Sequence, residues 1–171
     1  MRSSAASDVY KRQPLKDSGN YKKMSFGSNE TFSKDNTIGT FLNGDYLTSG
    51  TYLTSDQVNM IEDNTTWYLG TVGSGTNYKL AKYQDATSSS LTTSTTTAQI
   101  GLLRLGELMA GQFDKYVNNT SYWTLTPLDA SNVRYVDDSG YSYYDSPTYL
   151  YGSRPSMNLK STVKIVSGTG I

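Results

Sequence analysis

The apolar residues between positions 35 and 61 recur at helical spacing. Residues 35–37 supply polar side chains suited to a helix N-cap. A stripe spaced i, i+3, i+4 and i+8, typical of one buried helix face, follows at Ile38, Phe41, Leu42 and Tyr46. Gly39 and Gly44 each weaken this helix by up to about 1 kcal/mol, so its stability depends on packing. A second short helix is predicted from a cap at residues 54–56 through Val58 and Ile61.

The second half of the chain has the pattern of short strands. Strands are predicted at residues 66–69 and 100–103, and Leu105, Leu108 and Met109 then follow at helical spacing. The strand predicted at residues 122–126 should end at Pro127, since proline cannot donate a ladder hydrogen bond. Residues 137–140, Asp-Asp-Ser-Gly, predict a hairpin in which Gly140 takes a positive φ. The remaining predicted strands lie at residues 132–136, 141–144, 157–159 and 163–166.

A polar stretch separates these two halves. Residues 70–97 are rich in Gly, Ser and Thr, and we expect a mobile Ser/Thr-rich surface loop over about 85–97 because this segment cannot bury apolar area. Short helices in front and a strand-rich half behind predict an α+β fold, in which short helices cover one side of a small, mainly antiparallel sheet. A length of 171 residues fits one domain.

The first residues differ in origin from the rest. Residues 3–13, SSAASDVYKRQ, match one reading frame of a transposase sequencing adapter at all eleven positions. Such segments are excluded from fold reasoning. We therefore expect residues 1–13 to be a disordered, adapter-derived artefact, and the natural chain to begin near Pro14.

Composition excludes several classes of function. The chain has no Cys and no His, which removes thiol nucleophiles, disulfides, thiolate metal sites and the Ser–His–Asp triad. Carboxylate pairs, Lys and Tyr remain available, so enzymes are disfavoured rather than excluded. Zero net charge argues against sequence-independent nucleic-acid binding, and no apolar run approaches the roughly 20 residues that span a bilayer. We expect no cofactor, no metal, no nucleic-acid partner and no membrane contact by this region.

Several segments together resemble one family. The C-terminal ones look like its tryptophan-containing W-x-L/R-(T/S)-P strand, its V-x-x-(D/N)-G hairpin and its G-V-R-P-x-(L/V/M)-N-L strand. The family is a domain of unknown function from secreted, pilin-like and other surface proteins of Gram-positive gut bacteria. The match covers most of residues 25–170, through segments at 38–43, 65–70, 100–107, 122–127, 132–140 and 151–161.

The resemblance implies a C-type-lectin-like fold, shared with formylglycine-generating enzymes and with the variable proteins of diversity-generating retroelements. Ser153 departs from the pattern, since the family usually has Val or another apolar residue there. The family also commonly continues past the position of Ile171 into a final edge strand. We therefore expect residues 14–171 to be a single domain that is cut at both ends.

Tyrosines and carboxylates of the C-terminal half are the strongest candidates for a binding surface. Tyrosine combines a rigid apolar face with a hydroxyl, which suits contact with sugars or with a protein partner. Strand periodicity places Tyr141 and Tyr143 on one face and Tyr144 on the other, and the alternative role for these rings is cross-strand packing. The resemblance also implies a ligand surface in this half. The ligand-binding candidates are Tyr135, Asp138, Tyr141, Tyr143, Asp145 and Tyr149.

The other polar motifs favour structural roles. Asp137, Asp138 and Asp145 lack the alternating pattern of a calcium loop, so they are interpreted as turn-forming carboxylates. The glycine-rich residues 70–75 lack the Gly-Lys-Ser/Thr ending of a phosphate loop and are interpreted as a flexible loop.

Four further residues are assigned to the framework of the fold. Trp67 and Trp123 are predicted to anchor the core. Arg154, which precedes Pro155, is predicted to form structural hydrogen bonds, since its planar fork can tie backbone carbonyls together.

The leading hypothesis is a non-enzymatic extracellular domain for adhesion or ligand display at the cell surface, in a pilin-like or wall-anchored protein. Its partner would be a glycan or a host or bacterial surface protein. The alternative is a phage- or retroelement-type variable receptor-binding protein. An enzyme on the formylglycine-generating scaffold is disfavoured, because the chemistry that the resemblance implies there relies on Cys-bound copper and this chain has no Cys. The sequence leaves the oligomeric state open.

Overall fold

A computed structural model describes residues 14–69, 95–110 and 119–163. Its helices, in chain order, are α1 (Thr37–Asn43), α2 (Asp45–Thr48), α3 (Ser55–Asn59) and α4 (Leu105–Ala110). Its strands are β1 (Lys16–Asp17), β2 (Asn20–Tyr21), β3 (Lys23–Met24), β4 (Thr65–Tyr68), β5 (Thr95–Ala98), β6 (Ile100–Leu102), β7 (Tyr122–Asp129), β8 (Asn132–Val136), β9 (Ser142–Asp145), β10 (Tyr151–Gly152) and β11 (Pro155–Met157). The adapter-like residues 1–13 lie outside the described residues.

The fold is α+β, as the sequence predicts, and its strands form four small sheets. The largest has five strands in the order β3-β10-β7-β8-β9, and the other three are the pairs β1-β2, β6-β11 and β4-β5. All strand pairs in the described residues are antiparallel except β10 with β7. The three longest strands of the five-stranded sheet therefore come from the C-terminal third of the chain.

Polar caps begin α1 and α3 where the sequence predicts them. The Asn36 side chain accepts a hydrogen bond from the backbone N–H of Gly39, and Thr54 forms a reciprocal capping box with Gln57. The predicted helix from Ile38 to Tyr46 is interrupted, however, at Gly44, whose φ of −113° and ψ of −102° are not helical. The apolar stripe therefore continues across a break between α1 and α2.

Pro127 lies inside β7 instead of ending the strand, so the predicted strand end is wrong. Pro127 is paired with Val133, and the register between β7 and β8 shifts on both sides of this pair. Irregular pairing of this kind accommodates a residue that has no N–H to donate. The strand consequently extends to Asp129.

The predicted loop over residues 85–97 ends earlier than expected. Residues 95–97 belong to β5, which pairs with β4 from Thr65↔Ala98 to Tyr68↔Thr95. Residues 85–94 of that loop, and residues 164–166 of the last predicted strand, lie outside the described residues. The β-propensity of threonine outweighs the polar composition here, since Trp67 lies directly opposite Thr96 on the neighbouring strand.

Apolar side chains cover both faces of the five-stranded sheet. Trp123 belongs to the main core, which also contains residues of α1 and α2, whereas its neighbour Tyr122 packs with Leu108 of α4 and with Val136. Adjacent strand residues point to opposite faces. The helices are therefore not confined to one side of the sheet, which corrects the predicted arrangement.

A side-chain amide connects the helical half to a buried strand. The Asn43 amide group donates to the backbone carbonyl of Ile100 at 2.9 Å, and its carbonyl accepts from the Ile100 N–H at 2.9 Å. Because Ile100 is fully buried, these two bonds satisfy backbone groups that water cannot reach.

Candidate functional site

Exposed aromatic side chains are concentrated in one short segment of the chain. In the described residues, six large apolar side chains are exposed, and five of them fall between positions 141 and 150. We call these five the tyrosine surface: Tyr141, Tyr143, Tyr144, Tyr149 and Leu150. Exposed apolar patches are typical of interaction sites, whereas single exposed apolar residues need no explanation.

A row of aromatic rings in contact with one another connects this surface to the core. Trp123 is 1% exposed, and its ring centroid lies 4.8 Å from that of Tyr151. The ring of Tyr151 stacks on that of Tyr135 at 4.2 Å, and Tyr135 lies 6.2 Å from Tyr143. Aromatic pairs at these separations contribute about 0.5–1.5 kcal/mol each beyond their buried area. These contacts therefore fix the position of the Tyr143 ring, although half of the Tyr143 side chain is exposed.

Strand pairing assigns the candidate tyrosines to different faces of the sheet. Tyr135 is paired with Tyr143, so their side chains share one face. Tyr144 is paired with Arg134 on the opposite face. Tyr141 immediately precedes β9 and is the most exposed of these tyrosines, at 67%. Tyr135 is half-buried, and its ring packs against those of Tyr143 and Tyr151. The structure therefore gives Tyr135 a packing role.

Carboxylates flank β9 at both of its ends. Asp137 accepts hydrogen bonds from the backbone N–H groups of Ser139 and Tyr141, which closes the turn at Gly140, where φ is 92°. Asp138 is exposed and accepts from the Ser139 hydroxyl. In the part of the chain that the structure describes, no three acidic side chains come together as a metal-binding group.

Asp145 orients one of the stacked rings at the other end of β9. Its Oδ2 atom accepts a hydrogen bond from the Tyr151 hydroxyl at 2.9 Å, and its Oδ1 accepts from the Ser146 N–H. Burial raises the pKa of Tyr151, and its contacts with Tyr135 and Asp145 raise it further. The Tyr151 phenol therefore keeps its proton and acts as a donor to Asp145.

The residues assigned to the framework lie in or beside the core. Trp67 is 8% exposed and donates from Nε1 to the Ala98 carbonyl, and Trp123 Nε1 donates to the Met24 carbonyl. Pro155 is paired with Leu102 between β11 and β6.

Arg154 acts through a side chain rather than through backbone carbonyls. Its Nη1 atom donates to the Tyr122 hydroxyl at 2.8 Å, and its guanidinium lies 4.9 Å from the centre of the same ring. Burial raises the pKa of Tyr122, while the charge of Arg154 and its hydrogen bond lower it.

The sequence pattern does not indicate the exposure of Leu150, and it marks Ser153 only as a departure from the resembled family. Leu150 is 62% exposed, and the only signal for it is a single apolar residue between two tyrosines. Ser153 is fully buried, and its Oγ atom has no hydrogen-bond partner. The glycine-rich residues 70–75 lie outside the described residues.

The exposed groups of this site are phenols, carboxylates and the side chain of Leu150. Phenol rings can pack against the apolar faces of sugars or peptides, and their hydroxyl groups can donate and accept hydrogen bonds. The arrangement is therefore suited to non-covalent recognition. Among the described helices, none is both long and apolar enough to cross a membrane.

Comparison with protein-family models finds no match for this chain. Comparisons with curated proteins and with solved structures find no match either.

Proposed function

We propose that this chain is a non-enzymatic extracellular domain that serves in adhesion or ligand display at a cell surface, as part of a pilin-like or wall-anchored protein. The tyrosine surface is the binding region in this proposal. The observation that carries it is the concentration of exposed tyrosines over β9 and the segments beside it. Ring contacts connect one of these tyrosines, Tyr143, to the buried Trp123.

We further propose that the fold is C-type-lectin-like. The support comes from the sequence motifs and from where they lie: the W-x-L-T-P segment is in β7, the hairpin is β8–β9, and the Gly-Ser-Arg-Pro segment joins β10 to β11. Surface domains of this kind bind through exposed residues held on a rigid scaffold. The partner is then a glycan or a protein on a host or bacterial surface.

An array of immobilised glycans and surface proteins tests this function. The wild-type chain should bind a subset of the array, and the double variant Tyr141→Ala/Tyr143→Ala should lose at least about tenfold in affinity, as expected when two exposed aromatic contacts are removed. Met60→Ala is the matched control, because Met60 is 45% exposed but lies at the end of α3, away from the tyrosines in sequence. Equal binding by the double variant and the wild type would assign the binding to another surface.

A further inference from the structure

In the part of the chain that the structure describes, the strand β9 lies at one edge of the five-stranded sheet. Among the described strands, β9 has β8 as its single neighbour. Edge strands are usually protected by Lys, Pro or a bulge. The sequence of β9, Ser-Tyr-Tyr-Asp, contains no Lys and no Pro, and its one charged residue is Asp145 at the end of the strand. Its register with β8 is regular over all four pairs, from Val133↔Asp145 to Val136↔Ser142.

Hydrogen-bond alternation shows which backbone groups point outward from this edge. The Asp137 N–H donates to the Tyr141 carbonyl at 2.9 Å, so these two residues form a hydrogen-bonded pair. In an antiparallel ladder such pairs alternate with pairs that do not exchange hydrogen bonds. Ser142 and Tyr144 belong to the second kind, so their N–H and C=O groups point away from β8. These groups are placed to pair with one more strand.

Exposed rings flank both sides of this edge. Tyr143 is 50% exposed on the face of Tyr135, and Tyr144 is 56% exposed on the face of Arg134. Alternate side chains of an added strand would meet one ring on each face, since side chains alternate along a strand. Tyrosine would therefore contribute apolar contact on both faces of the added strand.

Charge distinguishes between two strands that could pair with β9, namely a strand of a second copy of this chain and a strand of a different protein. Between Arg134 and Arg154 the chain has three carboxylates, at Asp137, Asp138 and Asp145, and no Lys or Arg. Arg134 itself is 3% exposed. A second copy of this chain, paired edge to edge, would place like charges within about a Debye length of each other. A strand that carries Lys or Arg complements the same carboxylates.

We propose that β9 is a strand-addition site, which binds an extended basic peptide segment of a partner protein as a sixth strand of the sheet. This inference rests on the proposed function, because it names the partner class of the tyrosine surface. Main-chain hydrogen bonds to Ser142 and Tyr144 supply affinity, and the tyrosines and carboxylates select the partner's side chains.

Fluorescence anisotropy with a labelled eight-residue peptide of alternating lysine and valine tests the proposal on the full chain. The wild type should bind this peptide and not a peptide in which glutamate replaces lysine, and binding should weaken as salt is added. Tyr144→Pro removes one outward N–H and should weaken binding at least about tenfold. Tyr144→Ala is the matched control, since it removes the same ring but keeps the N–H, and it should bind more tightly than the proline variant.

A second measurement does not depend on the fold of any variant. The lysine–valine peptide should slow hydrogen exchange of the Ser142 and Tyr144 amides in the wild-type chain, because strand addition protects the outward N–H groups. Unchanged exchange at saturating peptide would overturn the proposal. Equal weakening by Tyr144→Pro and Tyr144→Ala, or equal binding of the lysine and glutamate peptides, would also overturn it.

The remaining outcomes separate this inference from the proposed function. Array binding that depends on Tyr141 and Tyr143, together with no binding of the lysine–valine peptide, would overturn strand addition and leave the adhesion function standing. If the chain bound neither the array through these tyrosines nor the lysine–valine peptide, both the adhesion function and strand addition would be overturned. Self-association of the wild type that Tyr144→Pro abolishes, without peptide binding, would identify the occupant as a second copy and overturn the basic-peptide proposal.

Discussion

At the scale of single residues, close packing explains why a glycine occupies position 39 inside a helix. Gly39 weakens α1 by its helix propensity, yet the structure places it against the backbone of Ser33. A Cβ atom at Gly39 would lie 1.8 Å from the Ser33 carbonyl oxygen. Glycine here permits a close approach between the helix and the segment before it.

Gly39→Ala should therefore destabilise the protein, although alanine is the better helix former. We expect a loss of about 1–3 kcal/mol in the free energy of unfolding, as is typical of overpacking, measured by urea denaturation. Thr37→Ala, on an exposed position of the same helix, is the matched control and should change stability by less than about 0.5 kcal/mol. A stabilising effect of Gly39→Ala would show that propensity outweighs packing at this position.

At the scale of elements, side-chain bonds between distant segments fix how the short elements are arranged. α1 is only seven residues long, and helices of this length are not stable alone. The Asn43 amide, with its two bonds to Ile100, ties the end of α1 to β6 across 57 positions of sequence.

Asn43→Ala should lower the free energy of unfolding by about 2–3 kcal/mol, because it leaves the N–H and C=O of buried Ile100 without these partners. Urea denaturation measures this loss. Asn59→Ala, at an exposed position in α3, should have little effect. Similar stabilities for the two variants would contradict a structural role for the amide.

Local signals in the sequence predicted the elements that carry them. The caps at Asn36 and Thr54 and the turn glycine Gly140 are where the sequence predicts them, because each acts over four residues or fewer. The two-residue strands β1, β2, β3 and β10 are too short to show a period of two. The predicted strand end at Pro127 is wrong because a strand that shifts its register can include proline, and no local pattern signals such a shift.

The sequence predicts which residue types form the candidate site, but it does not predict how they are arranged. The tyrosines are visible in the sequence, but which of them are exposed depends on pairings between strands. Tyr135 packs beside Tyr143 because the hairpin pairs them. Tyr151 contacts Tyr135 because its strand β10 pairs with β7, which lies far from it in sequence. Long-range pairing of this kind leaves no local pattern.

At the scale of the whole molecule, buried phenols link stability to pH. Tyr46 is 5% exposed, and burial raises its pKa from 10.0 to about 12. The folded state therefore holds this proton more tightly than the unfolded state does. The resulting stability is fully present below pH 10 and is lost as the pH rises through 12.

Thermal unfolding across this alkaline range measures the effect. A shift of this size corresponds to about 3 kcal/mol at full deprotonation. Tyr46→Phe keeps the ring without a titrating proton, so its stability should fall less steeply between pH 10 and pH 12. Burial also raises the pKa values of Tyr122 and Tyr151, so some pH dependence should remain. An unchanged slope in Tyr46→Phe would contradict the assignment to Tyr46.

The most direct test of the central claim is the binding of the labelled full chain to intact epithelial and bacterial cells, measured by flow cytometry. The account predicts saturable binding that falls at least about tenfold in Tyr141→Ala/Tyr143→Ala, while Met60→Ala binds like the wild type. Because Tyr141 and Tyr143 are both exposed, the double variant should remain folded. Saturable binding of equal strength by the wild type and the folded double variant would contradict a binding role for the tyrosine surface.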